Sequence, residues 1–405
     1  AEVRKGYERV IRPRFADAAF FFDEDLKQGL SAMNEGLASV TYQQKLGSYA
    51  DKVARVARLA RAIALALDDA PLFADLAEVA ALLCKADLQS RMVNEFPELQ
   101  GVAGRCYAAH DAGLDELSAE SRAAVAVALD EIYAPRFAGD AIASTRLGQV
   151  LAIAERLDTL AGGFAAGLKP SGNKDPFALR RNALGLARTL IEGGLDLNLV
   201  EMLDAAARLA YDAIGAQLER TRDSYAYGGF NAQDRTADLY DFILERLRGY
   251  FAERGVSAAL FDAVAATRPL SLSDFAERLA ALQRFAELPE AAALAAANKR
   301  ARNILRKVEG ALPEAIDPAK LIEPAERELY AALVAVLADT DVSLAARDYV
   351  AVLSRLAALR EPVDAFFDSV MVMADDPAIR DNRLALLRGL VDRFAAVAAI
   401  EQLAA

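Results

Sequence analysis

The chain has 405 residues, 54 % hydrophobic and 26 % charged, which is ample for several buried cores and fits about two to four domains. A single histidine, His110, excludes a two-His metal site or an HExxH motif, and two cysteines without a CxxC exclude a disulfide framework, so a cytoplasmic setting is expected. The net charge of −12 argues against a generally basic nucleic-acid binder, and charged residues interrupt every apolar run before the ~18–20 residues of a membrane span.

Taken in order, residues 1–30 form a leader with no secretory signal and an aromatic patch, Phe20-Phe21-Phe22, between charges. Leu46, Tyr49, Val53, Val56, Ala60, Ile63 and Leu67 mark one face of a long helix. An apolar helix over 80–84 runs into Lys85 and Asp87, and His110 follows in a polar turn. Val150, Ile153, Leu157 and Leu160 mark a second helix, ending near a turn at Gly162-Gly163; Gly193-Gly194 and Gly228-Gly229 also read as turns. A polar loop from Lys169 to Pro176 leads into a helix starting near Phe177. A flexible stretch holds Tyr225, Tyr227 and Phe230, aromatics able to stack bases or simply to pack. Ser271 to Asp274 reads as a capping box, and Pro324 suits a first helical turn. Tyr349, Val352, Leu353, Leu356 and Leu359 mark a third helix. Alternating β-branched runs are nearly absent, so the fold class is all-α and multi-domain. The divisions expected are a leader (1–30) and helical regions over 31–176, 177–289 and 290–405.

No phosphate-binding GxxxxGK[ST] loop and no GxSxG elbow is present. The stretch from Ala80 to Leu88 resembles the core helix of HD-type phosphohydrolases, in which a His-Asp pair holds a metal. Here Cys84-Lys85 stands in its place, an expected earlier helix offers Gln43, Gln44 and Lys45 rather than His, and Asp158 keeps the later acid. A protonated lysine repels a metal. Cys84, Lys85, Asp87 and Asp158 therefore read as a degenerate site, with Lys85, Asp87 and Asp158 expected to form a buried ion-pair cluster and no metal expected.

Longer blocks carry a further resemblance. Arg12 to Leu26, Tyr42 to Ser48, Lys85 to Gly101, Glu155 to Leu160, Lys174 to Arg181, Asn298 to Leu305 and Val370 to Asp375 together resemble the β subunit of bacterial heterotetrameric glycyl-tRNA synthetase. The chain looks like the C-terminal part of such longer subunits. The resemblance implies an HD-like lobe over 31–176 that has lost its metal ligands, a helical body, and a DALR-like anticodon-binding bundle over 290–405. It also implies tRNA-Gly and a catalytic α subunit as partners, two copies of each subunit in the assembly. ATP and Mg would act at the α subunit, with no cofactor and no catalytic residue in this chain.

Lys299, Arg300, Arg302, Arg306 and Lys307 place five cations in nine residues without an acid among them. Helical spacing puts 299, 302 and 306 on one face, with 300 and 307 nearby, a stripe suited to phosphates and to Arg stacking on bases; a solvated face paired with acids is the alternative. The loop with Lys169 and Lys174, followed by Arg180 and Arg181, is a second candidate. Arg380 and Arg383, with Asn382 at an expected loop-to-helix junction, are a third. The rival functions are a metal-dependent phosphohydrolase on the HD scaffold and a purely structural subunit that docks the catalytic partner.

Overall fold

The computed structural model describes residues 2–67, 70–221, 232–308, 310–311, 313 and 315–404. Among them are 18 α-helices and one small antiparallel hairpin, and the chain divides into two compact units, Ala1–Leu247 and Arg248–Ala405. No described helix is long and apolar enough to cross a membrane.

The first unit opens with α1 (Glu2–Gln28) and α2 (Leu30–Glu35). A hairpin of β1 (Thr41–Gln43) and β2 (Gly47–Ser48) follows, so Gln43, Gln44 and Lys45 lie on a hairpin rather than on the expected helix. Gly47, at φ 87°, makes its turn possible. Ser48 then starts α3 (Tyr49–Ala66) with a reciprocal cap: its hydroxyl accepts from the Asp51 N–H at 3.2 Å, and the Asp51 carboxylate accepts from the Ser48 N–H at 2.8 Å. Then come α4 (Pro71–Leu83), α5 (Arg91–Glu95), α6 (Val102–Ala108), α7 (Ala119–Glu131), α8 (Arg146–Ala165), α9 (Leu179–Glu192) and α10 (Leu199–Thr221), and the division after Leu247 falls inside α11 (Ala232–Ala252).

Helix α8 is the axis of this unit. It packs against α3, α7, α9 and α10 and is buried on nearly its whole circumference from Leu147 to Phe164, with its charged residues Glu155, Arg156 and Asp158 partnered inside. Gly162 and Gly163 lie inside it and make no turn. Their missing side chains admit Leu46 and Leu179: an added Cβ would stand 2.8 Å and 2.9 Å from those leucine methyls. Two glycines with no turn residue beside them were thus a packing signal.

The second unit holds α12 (Ala258–Ala265), α13 (Leu272–Ala286), α14 (Ala291–Leu305), α15 (Pro324–Ala345), α16 (Tyr349–Ala357), α17 (Arg360–Ser369) and α18 (Pro377–Ala395). Phe261 and Phe275 pack with ring centroids 5.1 Å apart, and Phe285 meets Phe394. Ser271 caps α13 through the Asp274 N–H, but the box is half built. The Asp274 carboxylate instead accepts from Arg278 Nε at 2.8 Å and from the Tyr349 hydroxyl, tying α13 to α16. Pro324 begins α15 as expected.

Candidate nucleic-acid interface

Helix α14 buries Ala291, Leu294, Ala295, Asn298 and Ala301, a helical stripe that packs on α17, α18 and the 400–403 turn. Its opposite face carries the cations. Lys299, Arg300 and Lys307, with Ala296, Asn303, Ile304 and Met373, line an open hollow of about 600 Å³. The Arg300 guanidinium lies over the Phe367 ring of α17, 4.4 Å from its centroid. Lys299 Nζ donates to the Ala404 carbonyl at 3.1 Å. The side chains of Arg306 and Lys307, at the C-terminal end of α14 where the helix dipole favours cations, have no hydrogen-bond or ion-pair partner among the described residues, although both backbone N–H groups donate to carbonyls of α14. Met371 and Met373 stand exposed in the preceding loop of α18.

The five cations are therefore not one stripe. Arg302 turns the other way and pairs with Glu401, whose second oxygen accepts from Asn298 Nδ2 at 3.0 Å. Periodicity grouped 299 with 302 and 306; the structure groups 299 with 300, 303 and 307, because Arg302 is drawn to a carboxylate that is 99 residues away in sequence.

The other cationic candidates are differently committed. Lys169 pairs with Asp238 at 2.5 Å and lies over the Phe164 ring. Lys174 closes a tight exposed turn with Ser171. Asp175 accepts from the N–H groups of Leu179 (2.8 Å) and Arg180 (2.9 Å), so the start of α9 is already capped; Arg180 also donates to the Gly172 carbonyl, while Arg181 is exposed. Arg380, Asn382 and Arg383 lie inside α18, whose first turn is capped by Asp376. Asn382 is buried and clasps the Asp317 backbone. Arg383 is buried against Glu326, itself fully buried, and donates to the Met371 carbonyl at 2.7 Å; it holds the fold and presents nothing to a ligand. Of this third candidate only Arg380 keeps partial exposure, beside Asp381. Tyr225, Tyr227 and Phe230 lie outside the described residues.

The degenerate site is a buried charge cluster with different pairings from those expected. Asp158 takes Lys52 at 2.9 Å and Arg55 at 2.6 Å, both from α3. Lys85 meets Glu155 at 3.7 Å and the Tyr133 ring at 4.0 Å, and Glu155 also takes Lys52 at 3.3 Å. Asp87 joins neither: it accepts the N–H groups of Gly101 (2.6 Å) and Gly104 (3.2 Å) and so fixes the start of α6. Lys52, Arg55, Tyr133 and Glu155 were missed as members. The signal existed, since Lys52 and Arg55 are charged residues set in the apolar stripe of α3.

The electrostatics follow from this layout. Burial pushes the Glu155 carboxyl up, but the Lys52 and Lys85 ammoniums and Arg156 outweigh it and hold it at about 2. Burial acts against charged Lys52, yet Asp158 and Glu155 raise its pKa well above the ordinary value. Burial pushes the Cys84 thiol up to about 12, which leaves it unreactive. Burial also raises Asp87, against its backbone hydrogen bonds. Among the described residues no group of three or more His, Cys, Asp or Glu is placed to hold a metal.

A family model described as glycyl-tRNA synthetase beta subunit matches residues 1–266, and one described as DALR anticodon binding domain matches residues 294–397, which contain most of α14 and all of α15 to α18. The glycine–tRNA ligase beta subunit of Xanthomonas campestris pv. campestris (strain 8004) is 62 % identical over 403 residues, covering 100 % of this chain and 55 % of the relative. That of Xylella fastidiosa (strain M12) is 54 % identical over 417 residues (100 % and 56 %), and that of Janthinobacterium sp. (strain Marseille) is 48 % identical over 402 (99 % and 53 %). The chain spans about half the length of the curated relatives it matches. On these matches, which run the length of both units, the chain belongs to the glycyl-tRNA synthetase beta subunit family.

Proposed function

We propose that this chain is the tRNA-recognising portion of a glycine–tRNA ligase, acting in the cytoplasm beside a catalytic α subunit, two copies of each. ATP and Mg²⁺ would serve the α subunit in joining glycine to tRNA-Gly, and we assign no catalytic residue, metal or cofactor to this chain. The observation that carries the reading is the α14 hollow, which lies within the stretch similar to an anticodon-binding domain and gathers Lys299, Arg300 and Lys307 around Asn303 and Met373.

The chemistry of that hollow suits an unpaired loop. The ammoniums of Lys299 and Lys307 meet phosphates as point charges, and Arg300, already held over the Phe367 ring, offers a planar guanidinium on which a splayed base stacks. The exposed thioether of Met373 adds apolar contact. The remainder of a chain of net charge −12 repels RNA, so docking is confined to such patches.

Filter binding of tRNA-Gly to the α–β assembly at graded salt tests the reading. Lys307→Ala is expected to weaken binding and to reduce the log–log salt slope by about 0.7, the share of one phosphate on a single strand. Arg300→Ala is expected to cost about 1–3 kcal/mol, the worth of one stacked base. Unchanged affinity and slope in both variants would remove the hollow from the interface.

A further inference from the structure

Helix α1 changes character along its length. Its second half is seated on the first unit: Asp25 is buried and accepts from the N–H groups of Arg91 and Met92 and from the Tyr107 hydroxyl, and Phe22 packs on Tyr107 with ring centroids 5.5 Å apart. The helical face that carries this seat continues backwards: Phe15 lies two turns before Phe22 on that face and starts a row, spaced by four, through Ile11, Tyr7 and Val3. These four side chains are 70, 43, 66 and 74 % exposed, and with Arg4, Glu8 and Arg12 they line one continuous shallow face, while Arg14 beside them reaches Glu95 at 3.7 Å and lies over the Phe96 ring. Scattered exposed apolar residues are ordinary, but a row of large ones along one helical ridge marks an interface.

We propose that this ridge is the seat of the part of the same polypeptide that lies outside these 405 residues. The curated relatives carry almost as much chain again, since the match covers 53–56 % of their length. The ridge is continuous with a contact already made inside the chain, by Phe22 and Asp25. Its flanks hold Arg4, Lys5, Arg9, Arg12 and Arg14 against Glu2 and Glu8, so the covering surface carries carboxylates around an apolar centre. A second copy docking ridge to ridge would bring the same cations face to face and is disfavoured. RNA would use the cations and stack on Tyr7 and Phe15, but it would leave Val3 and Ile11 in water.

Thiol labelling distinguishes these occupants. Tyr7→Cys, in a Cys106→Ser background that removes the exposed native thiol, is treated with a maleimide in this chain and in the uninterrupted β subunit, and position 7 is followed by peptide mass. The expected result is rapid labelling here and labelling at least tenfold slower in the uninterrupted subunit without any other component. Equal rates would overturn the proposal. So would protection that appears in this chain as its concentration rises, which would mean a second copy, or protection that needs added α subunit or tRNA. As a second readout, Ile11→Glu should leave the thermal unfolding of this chain unchanged while making the uninterrupted subunit susceptible to limited proteolysis. Resistance equal to the parent's would also count against the seat.

Discussion

Two buried ammoniums converge on Glu155, and its protonation in acid costs the first unit this shared anchor. Its carboxyl sits at about 2 in the fold against 4.5 ordinarily. A depressed carboxylate contributes stability that is complete above its unfolded pKa and lost as pH falls through its folded one. The window is therefore pH 4.5 down to about 2, with on the order of 3 kcal/mol at stake. Urea titrations of the first unit across this range should show the loss, and Glu155→Gln should flatten it. At neutral pH the same variant should cost about 3–5 kcal/mol, because Lys52 and Lys85 lose a shared partner inside the protein. A second residue-scale contrast separates structure from recognition. Arg302→Ala leaves the largely buried Glu401 unpaired and should lower the melting temperature of the second unit, whereas Arg300→Ala, on the outer face, should leave it within about a degree of the parent and act on RNA alone.

At the scale of elements, the long helices were legible because their apolar residues recur at helical spacing: α3, α8 and α16 lie along the runs Leu46 to Leu67, Val150 to Leu160 and Tyr349 to Leu359, although Leu46 falls on the hairpin, Leu67 caps the end of α3 and Leu359 precedes α17. What local spacing could not carry was set by partners far away in sequence. Arg302 left its stripe for Glu401, Arg383 went inward to Glu326, and Asp274 left its capping box for Tyr349. The hairpin at 41–48 is too short to show a strand period. The buried cluster was half legible: its acid Asp158 and its base Lys85 were named, but their partners Lys52, Arg55 and Glu155 needed the packing of α3 on α8. The α6 start offers a test of that local design. Gly101 has φ 87°, an added Cβ would stand 2.8 Å from the Tyr133 ring, and its N–H feeds Asp87. Gly101→Ala should destabilise the first unit by about 1–3 kcal/mol in urea unfolding, the usual cost of overpacking joined to backbone strain.

For the whole molecule, the sign of the net charge and the position of the cations do different work. A chain of −12 keeps RNA away from most of its surface. The cations that remain outward on α14 sit in the stretch similar to an anticodon-binding domain, while several others, such as Lys52, Arg55, Lys85, Arg156 and Arg383, are spent on holding helices together. We propose that this patch grips tRNA-Gly by phosphate contact and base stacking. The most direct measurement is the affinity of the α–β assembly for tRNA-Gly at graded salt, in the parent and in an Arg300→Glu, Lys307→Glu double variant. The account predicts a steep fall of parent affinity with salt and at least a hundredfold loss in the double variant at low salt, with unchanged thermal unfolding. Equal affinity of parent and variant across the salt series would contradict it.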